Sequence, residues 1–210
     1  MTAAAGVLLA ITLVSAVIDW VAVHHGHRPV EYVFKPLTLV VLTAAALALD
    51  PADPTVRAWF VVALVLSLAG DVFLMLPGDR FVPGLGAFLL AHLAYVVGLA
   101  VAGLEPLGVL AGLMVVGAAF GLVGTRLVAG IRATEPAMAG PVTAYMGVIS
   151  AMVVCAFGTG DGVAIAGAVL FYASDALIGW GRFVRPHDGG RLAVMMTYHL
   201  GQVLLVLSLV

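Results

Sequence analysis

Charge is what this sequence has least of. Of its 210 residues only 10% are charged, against 63% hydrophobic, where soluble domains run at roughly 25% and 45–50%. Mean hydropathy is +1.19, and a water-soluble globular domain is excluded. Lysine occurs once, as Lys35, beside eight arginines, and the formal net charge is −2. No basic surface for nucleic acid follows from that balance, and none is expected as a partner. The single cysteine, Cys155, excludes a disulfide framework, a CxxC redox pair and a cysteine-based zinc finger. What fills the chain instead is Ala, Val, Gly and Leu in long runs. This is the composition of an integral membrane protein, with the flavour of a GC-rich bacterial genome.

A bilayer core of roughly 30 Å takes about 20 apolar residues per helix. Broken at prolines, glycines and charge clusters, the chain yields eight runs: 3–23, 36–49, 57–76, 83–103, 107–129, 141–158, 162–180 and 192–210. The second is short, which suggests a tilted or partly embedded segment. The predicted architecture is all-α, an integral membrane bundle of about eight transmembrane helices, with 1–210 as a single transmembrane domain. The first run reads as a span and not as a cleavable signal peptide, since no charged n-region precedes it. Connections after the odd spans carry Arg28, Lys35, Arg80, Arg126, Arg132, Arg182, Arg185 and Arg191, whereas those after the even spans carry only Arg57. The excess of positive charge on one side predicts cytoplasmic odd loops and both termini outside, in a bacterial inner membrane.

Ionisable side chains inside a membrane cost several kcal/mol and mark candidate sites. Here they are Asp71 in LSLAGDVFLML, Asp175 in LFYASDALIGW, His92 and His199. Tyr95 and Gln202 lie three residues beyond the histidines, on the same helical faces. All fall in the cytoplasmic half under the predicted topology, with Lys35 and Tyr145 near the same ends. Structural readings compete for each: an aspartate can bridge two helices, a histidine can be a satisfied core residue, and Lys35 before Pro36 can be a snorkelling helix start. Asp19, beside Trp20, reads as an interfacial anchor.

A weak internal repeat is also legible. Spans three and four run from Gly-Asp71 through Arg80-Phe81 to His92, and spans seven and eight from Ser-Asp175 through Arg182-Phe183 to His199. Both copies begin on descending helices, so two four-helix halves could form a parallel repeat that sets Asp71 opposite Asp175.

The Lys35-Pro36 step, AGDVFLML, FVPGLGAFLLAHLAYVVGL, FYASDALI and TYHLGQVLLVLS, in this order, resemble the YhhN-like lysoplasmalogenase family. The resemblance covers essentially the whole chain and implies a hydrolase acting on the vinyl ether bond of lysoplasmalogens. Its products would be a fatty aldehyde and glycerophospho-ethanolamine or glycerophosphocholine. Carried over by position, the family's acidic motifs fall on Asp71 and Asp175, its His-x-x-Tyr element on His92 and Tyr95, and its Tyr-His…Gln element on Tyr198, His199 and Gln202.

The chemistry fits such residues. A vinyl ether is cleaved by protonating its β-carbon, capturing the oxocarbenium ion with water and collapsing the hemiacetal. Two carboxyls confined at one depth would share a proton and supply the acid and the base, in either assignment. His92, Tyr198 and His199 would orient them. Lys35, Arg80 or Arg182 would meet the phosphate at the cytoplasmic rim, with the lysophospholipid arriving from the surrounding bilayer. No cofactor and no metal are expected. Three alternatives stay open on the sequence. A proton-coupled transporter would also carry buried acids and repeats. A zinc-dependent intramembrane lipid hydrolase would need His92, His199, Asp71 and Asp175 as ligands, without HExxH spacing. An intramembrane aspartyl protease would need a GxGD motif where the chain has Leu-Ala-Gly-Asp71.

Overall fold

In the computed structural model, residues 1–186 and 189–210 are described. Every regular element among them is helical. These are α1 (Ala3–His25), α2 (Arg28–Ala48), α3 (Pro54–Met75), α4 (Phe81–Ala102), α5 (Pro106–Ala119), α6 (Thr125–Thr134), α7 (Ala139–Thr159), α8 (Gly162–Phe183) and α9 (Gly190–Leu207). A π-helical turn, Phe120–Gly124, joins α5 to α6, so that 106–134 forms one continuous rod. With that rod counted once, eight helices among the described residues are long and apolar enough to cross a membrane. The protein is a multi-pass membrane protein.

The helices begin and end where local chemistry requires. Thr2, Asp53 and Asp161 cap α1, α3 and α8 by accepting backbone N–H bonds from Ala5, Thr55 and Val163, groups that a helix cannot satisfy by itself. Gly26 ends α1 with φ at 71°, a left-handed conformation that suits glycine.

The second span is not short. It begins at Arg28, with Pro29 in its first turn, and Pro36 lies inside the helix. A proline there forfeits one N–H, the partner of the Tyr32 carbonyl, and membrane helices tolerate this better than soluble ones. Lys35 therefore sits two turns inside α2 and is no helix start. Arg126, Arg132, Arg182 and Arg191 likewise belong to helices and not to connections. The ends they favour are unchanged: eight basic residues gather at the end where α1 finishes, and Arg57 alone lies at the end of the termini.

The most extensive packing joins α1 to α2, α3 to α4 and α8 to α9, and α1 and α9 meet to close the bundle. Close approach of α8 and α9 depends on Gly167 and Gly201. A Cβ on either would stand 2.9 Å from the other's carbonyl oxygen, inside contact distance, so small residues set this spacing.

Candidate active site

The end of the bundle rich in basic residues also holds its polar interior. Asp71, four residues before the end of α3, is 1% exposed. Its Oδ1 lies 3.2 Å from Nζ of Lys35 on α2, and its Oδ2 accepts a bond of 2.7 Å from the Tyr198 hydroxyl on α9. One helical turn beyond Tyr198, Gln202 accepts a hydrogen bond from Tyr95 Oη on α4 at 2.5 Å. Three helices thus fix the surroundings of one carboxylate. A buried charge needs such partners, because desolvation without them is prohibitive.

Asp175 on α8 is held differently. Its Oδ2 accepts the Tyr145 hydroxyl from α7, and Nε2 of His92 on α4 stands 3.7 Å away. His92 packs on Phe171, with ring centres 4.6 Å apart, and edge-on to Tyr145. No arginine or lysine among the described residues pairs with Asp175. The Asp175 side chain is 12% exposed against 2% for Asp71.

His199 accepts a hydrogen bond on Nδ1 from Trp20 Nε1 at 3.1 Å, while its Nε2 is buried without a partner. Asp19, the residue before Trp20 on α1, is fully buried and neither carboxylate oxygen has a partner. The interfacial place read for Asp19 is therefore corrected: it is buried within the bundle and belongs to the polar interior. Among the described residues no three His, Cys, Asp or Glu side chains are grouped so as to hold a metal ion.

Two cavities lie at this end of the bundle, and Asp175 lines one of them. A polar one of about 440 Å³ opens at the basic end and is lined by Arg28, Glu31, Lys35 and Arg191 among others. An apolar one of about 70 Å³ lies among α3, α4, α6, α7 and α8, with Tyr145 and Asp175 on its wall beside Phe88 and Leu127. Leu74 and Ile178 belong to both linings. They follow Asp71 and Asp175 by three residues, about one turn, so the residues shared by the two cavities lie one turn from each aspartate along α3 and α8.

The residues singled out in the sequence divide accordingly. Lys35, Asp71, Tyr198, Gln202 and Tyr95 come together, and so do His92 and Asp175, whereas His199 contacts Trp20. Arg80 is exposed at the start of α4. Arg182 grips Asp79 through two nitrogens at 3.2 Å and Glu135 at 3.2 Å, with its guanidinium 4.1 Å over Phe81. This grip holds the Asp79 carboxyl below the usual carboxylate range. Sequence reasoning left Tyr145, Glu31, Arg28 and Arg191 out of the site. Tyr145 could have been found from its depth, which matches that of the aspartates, and Glu31 from its place one turn before Lys35.

The comparisons with known proteins agree on one family. The model described as the YhhN family matches residues 30–209. A human protein named lysoplasmalogenase is 37% identical over 146 residues, which are 70% of this chain and 61% of that protein. A Mycobacterium tuberculosis protein of the same name is 34% identical over 190 residues, 86% of this chain and 70% of its own length. An uncharacterized membrane protein YhhN of Escherichia coli is 36% identical over 81 residues, 37% of this chain and 38% of that one. The chain thus spans about three fifths of the human relative it matches. No solved structure matches.

Proposed function

This chain belongs to the YhhN family, and on that premise we propose that it is a lysoplasmalogenase-type hydrolase, cleaving the vinyl ether of a lysophospholipid to a fatty aldehyde and a glycerophospho-alcohol. The observation that carries the reading is that Leu74 and Ile178, one turn from Asp71 and Asp175, line both a cavity with charged residues in its wall and an apolar cavity that Asp175 itself lines. A lysolipid has that division built in. With its head group in the polar cavity and its chain in the apolar one, the bond joining them lies between the two carboxylates.

The neighbours of each carboxylate divide the roles. Lys35 at 3.2 Å holds Asp71 as an anion, the form needed to stabilise a cation and accept a proton. Asp175 faces the apolar cavity with a tyrosine and a histidine for company, and serves as the acid. It gives its proton to the β-carbon, whose new C–H bond takes the alkene electron pair as the ether oxygen becomes an oxocarbenium ion. Water adds to the neighbouring carbon that bears the ether oxygen while Asp71 takes its proton, leaving a hemiacetal. Collapse reverses the roles: Asp175 takes the hydroxyl proton and Asp71 protonates the departing glycerol oxygen. Both carboxyls return to their starting states with no outside proton carrier and no cofactor. Tyr145, His92 and Tyr198 hold the pair in place, with Tyr95, Gln202 and His199 behind them.

Purified protein in detergent tests this. It should release aldehyde from a 1-alkenyl lysophospholipid and not from the saturated 1-alkyl ether, and chelators should leave the rate unchanged. In D₂O the aldehyde should carry one deuterium beside the carbonyl. Absence of aldehyde overturns the reading. The eight-to-one distribution of basic residues supports a site open to the cytoplasmic face of a bacterial inner membrane, with both termini outside. A C-terminal alkaline phosphatase fusion should then be active, and an inactive one would invert the orientation.

A further inference from the structure

The polar cavity at the basic end has a composition that the two aspartates do not account for. Arg28 at the start of α2 and Arg191 at the start of α9 line it, with side chains 54% and 51% exposed. Between them Glu31, 7% exposed, takes both Arg191 contacts, at 2.7 and 2.8 Å, and lies 3.7 Å from Arg28. A buried carboxylate gripping one nitrogen of a guanidinium fixes that group's direction and leaves its other donors turned outward. Glu31 thus orients Arg191 and draws the Arg28 cation to the same cavity, and both side chains stay about half exposed.

We propose that Arg28 and Arg191, held by Glu31, form a phosphodiester site that receives the head group of the lysophospholipid. This rests on the hydrolase reading and adds to it the residues that choose the substrate. Depth supports the assignment. Glu31 and Lys35 are four residues apart on α2, a rise of about 6 Å. In a lysolipid five bonds separate phosphorus from the sn-1 ether oxygen, and at roughly 1.5 Å each in a zigzag they also span about 6 Å. A phosphate at the Arg28–Arg191 level therefore sets the ether at the level of Lys35 and Asp71. The arginines expected in this role from the sequence are placed otherwise: Arg80 lines neither cavity, and Arg182 is committed to Asp79 and Glu135. The amine of the head group would project from the mouth, so choline and ethanolamine forms should bind alike.

The experiment pairs turnover with binding. For turnover, 1-alkenyl-glycerophosphocholine is compared with 1-alkenylglycerol, which lacks phosphate. For binding, the saturated 1-alkyl analogues of both are titrated by tryptophan fluorescence. The variant carrying Arg28→Gln and Arg191→Gln should raise KM and Kd for the phospholipids about tenfold or more, leave kcat nearly unchanged, and leave both phosphate-free compounds unaffected. Arg191→Lys, which keeps the charge and loses the fork, should fall between. Equal losses for the phosphate-free compounds would mean that the arginines only support the fold, and would overturn the site. A selective KM rise in Arg80→Gln would overturn it as well, moving the phosphate to α4. If wild-type protein releases no aldehyde but binds the 1-alkyl phospholipid through Arg28 and Arg191, the hydrolase reading fails and the phosphodiester site stands.

Discussion

Asp71 and Asp175 each lie three residues before a residue shared by the two cavities, yet their surroundings have little in common. Asp71 is closed off, with an ammonium on one oxygen and a phenol on the other. Asp175 is open to an apolar cavity and has a phenol and an imidazole but neither arginine nor lysine. Two chemically equal side chains are thus made unequal by what the neighbouring helices bring. That inequality is what an acid–base pair requires.

The sharpest way to break the comparison is to remove either carboxyl. Asp71→Asn and Asp175→Asn should each lower aldehyde release by roughly 10²-fold or more, the scale of a lost positioned acid or base. The double variant should be little worse than either single one, since groups that act as a unit are not additive. If one of the two variants keeps its activity in well-folded protein, there is no pair.

Removing the cation from the closed side should come next in size. Lys35→Met should cost roughly ten- to a hundredfold in kcat while KM moves little, and Lys35→Arg should recover part of it, as a charge-assisted contact would. It should also cost about 3–5 kcal/mol of stability, because Asp71 is left buried with an unpaired charge. A KM effect without a kcat effect would return Lys35 to phosphate binding. The phenols sharpen the comparison further. Tyr198→Phe and Tyr145→Phe each remove a single donor from one carboxylate and should cost about tenfold. The pairs should couple within each side and add across the sides, which double-mutant cycles measure.

How much of this was legible in the chain follows from the same physics. Long apolar runs gave the eight spans, because the bilayer demands length and hydrophobicity whatever the fold. Pro36 was read as a breaker, and the helix runs through it. The π-helical turn at 120–124 left no mark in the sequence that was read. The aspartates stood out because charge is costly among apolar neighbours. Their partners did not, since lipid is as apolar as a core and a membrane helix shows no clear buried face in its pattern. Asp19 illustrates this: its place beside Trp20 near a helix end suggested the interface, and only the packing of α1 against α2 and α9 turns it inward. Glu31 and Arg191 are 160 residues apart, and no spacing within either run announces their contact.

The smallest effect belongs to the rim of the open side. Arg182 lies two turns past Asp175 and ties the α3–α4 corner at Asp79 to Glu135, while resting on Phe81 at one end of the apolar cavity. The exposed Arg80, its counterpart in the sequence repeat, has no such tie among the described residues. The Asp79 side chain is 66% exposed, so its pair with Arg182 is screened by solvent and salt. Asp79→Asn should therefore change kcat/KM by less than about threefold, and asparagine tolerates the positive φ of 39° at this position. The pH dependence has a definite sign. Because the folded-state carboxyl titrates below its ordinary range, the stabilisation it gives is complete above that range and fades as pH falls through the folded value. The Tm difference between wild type and Asp79→Asn should hence be constant near neutrality, shrink below about pH 4, and diminish in high salt. A difference that grows on acidification would show that Asp79 is not held by Arg182, and that the open side has no clasp.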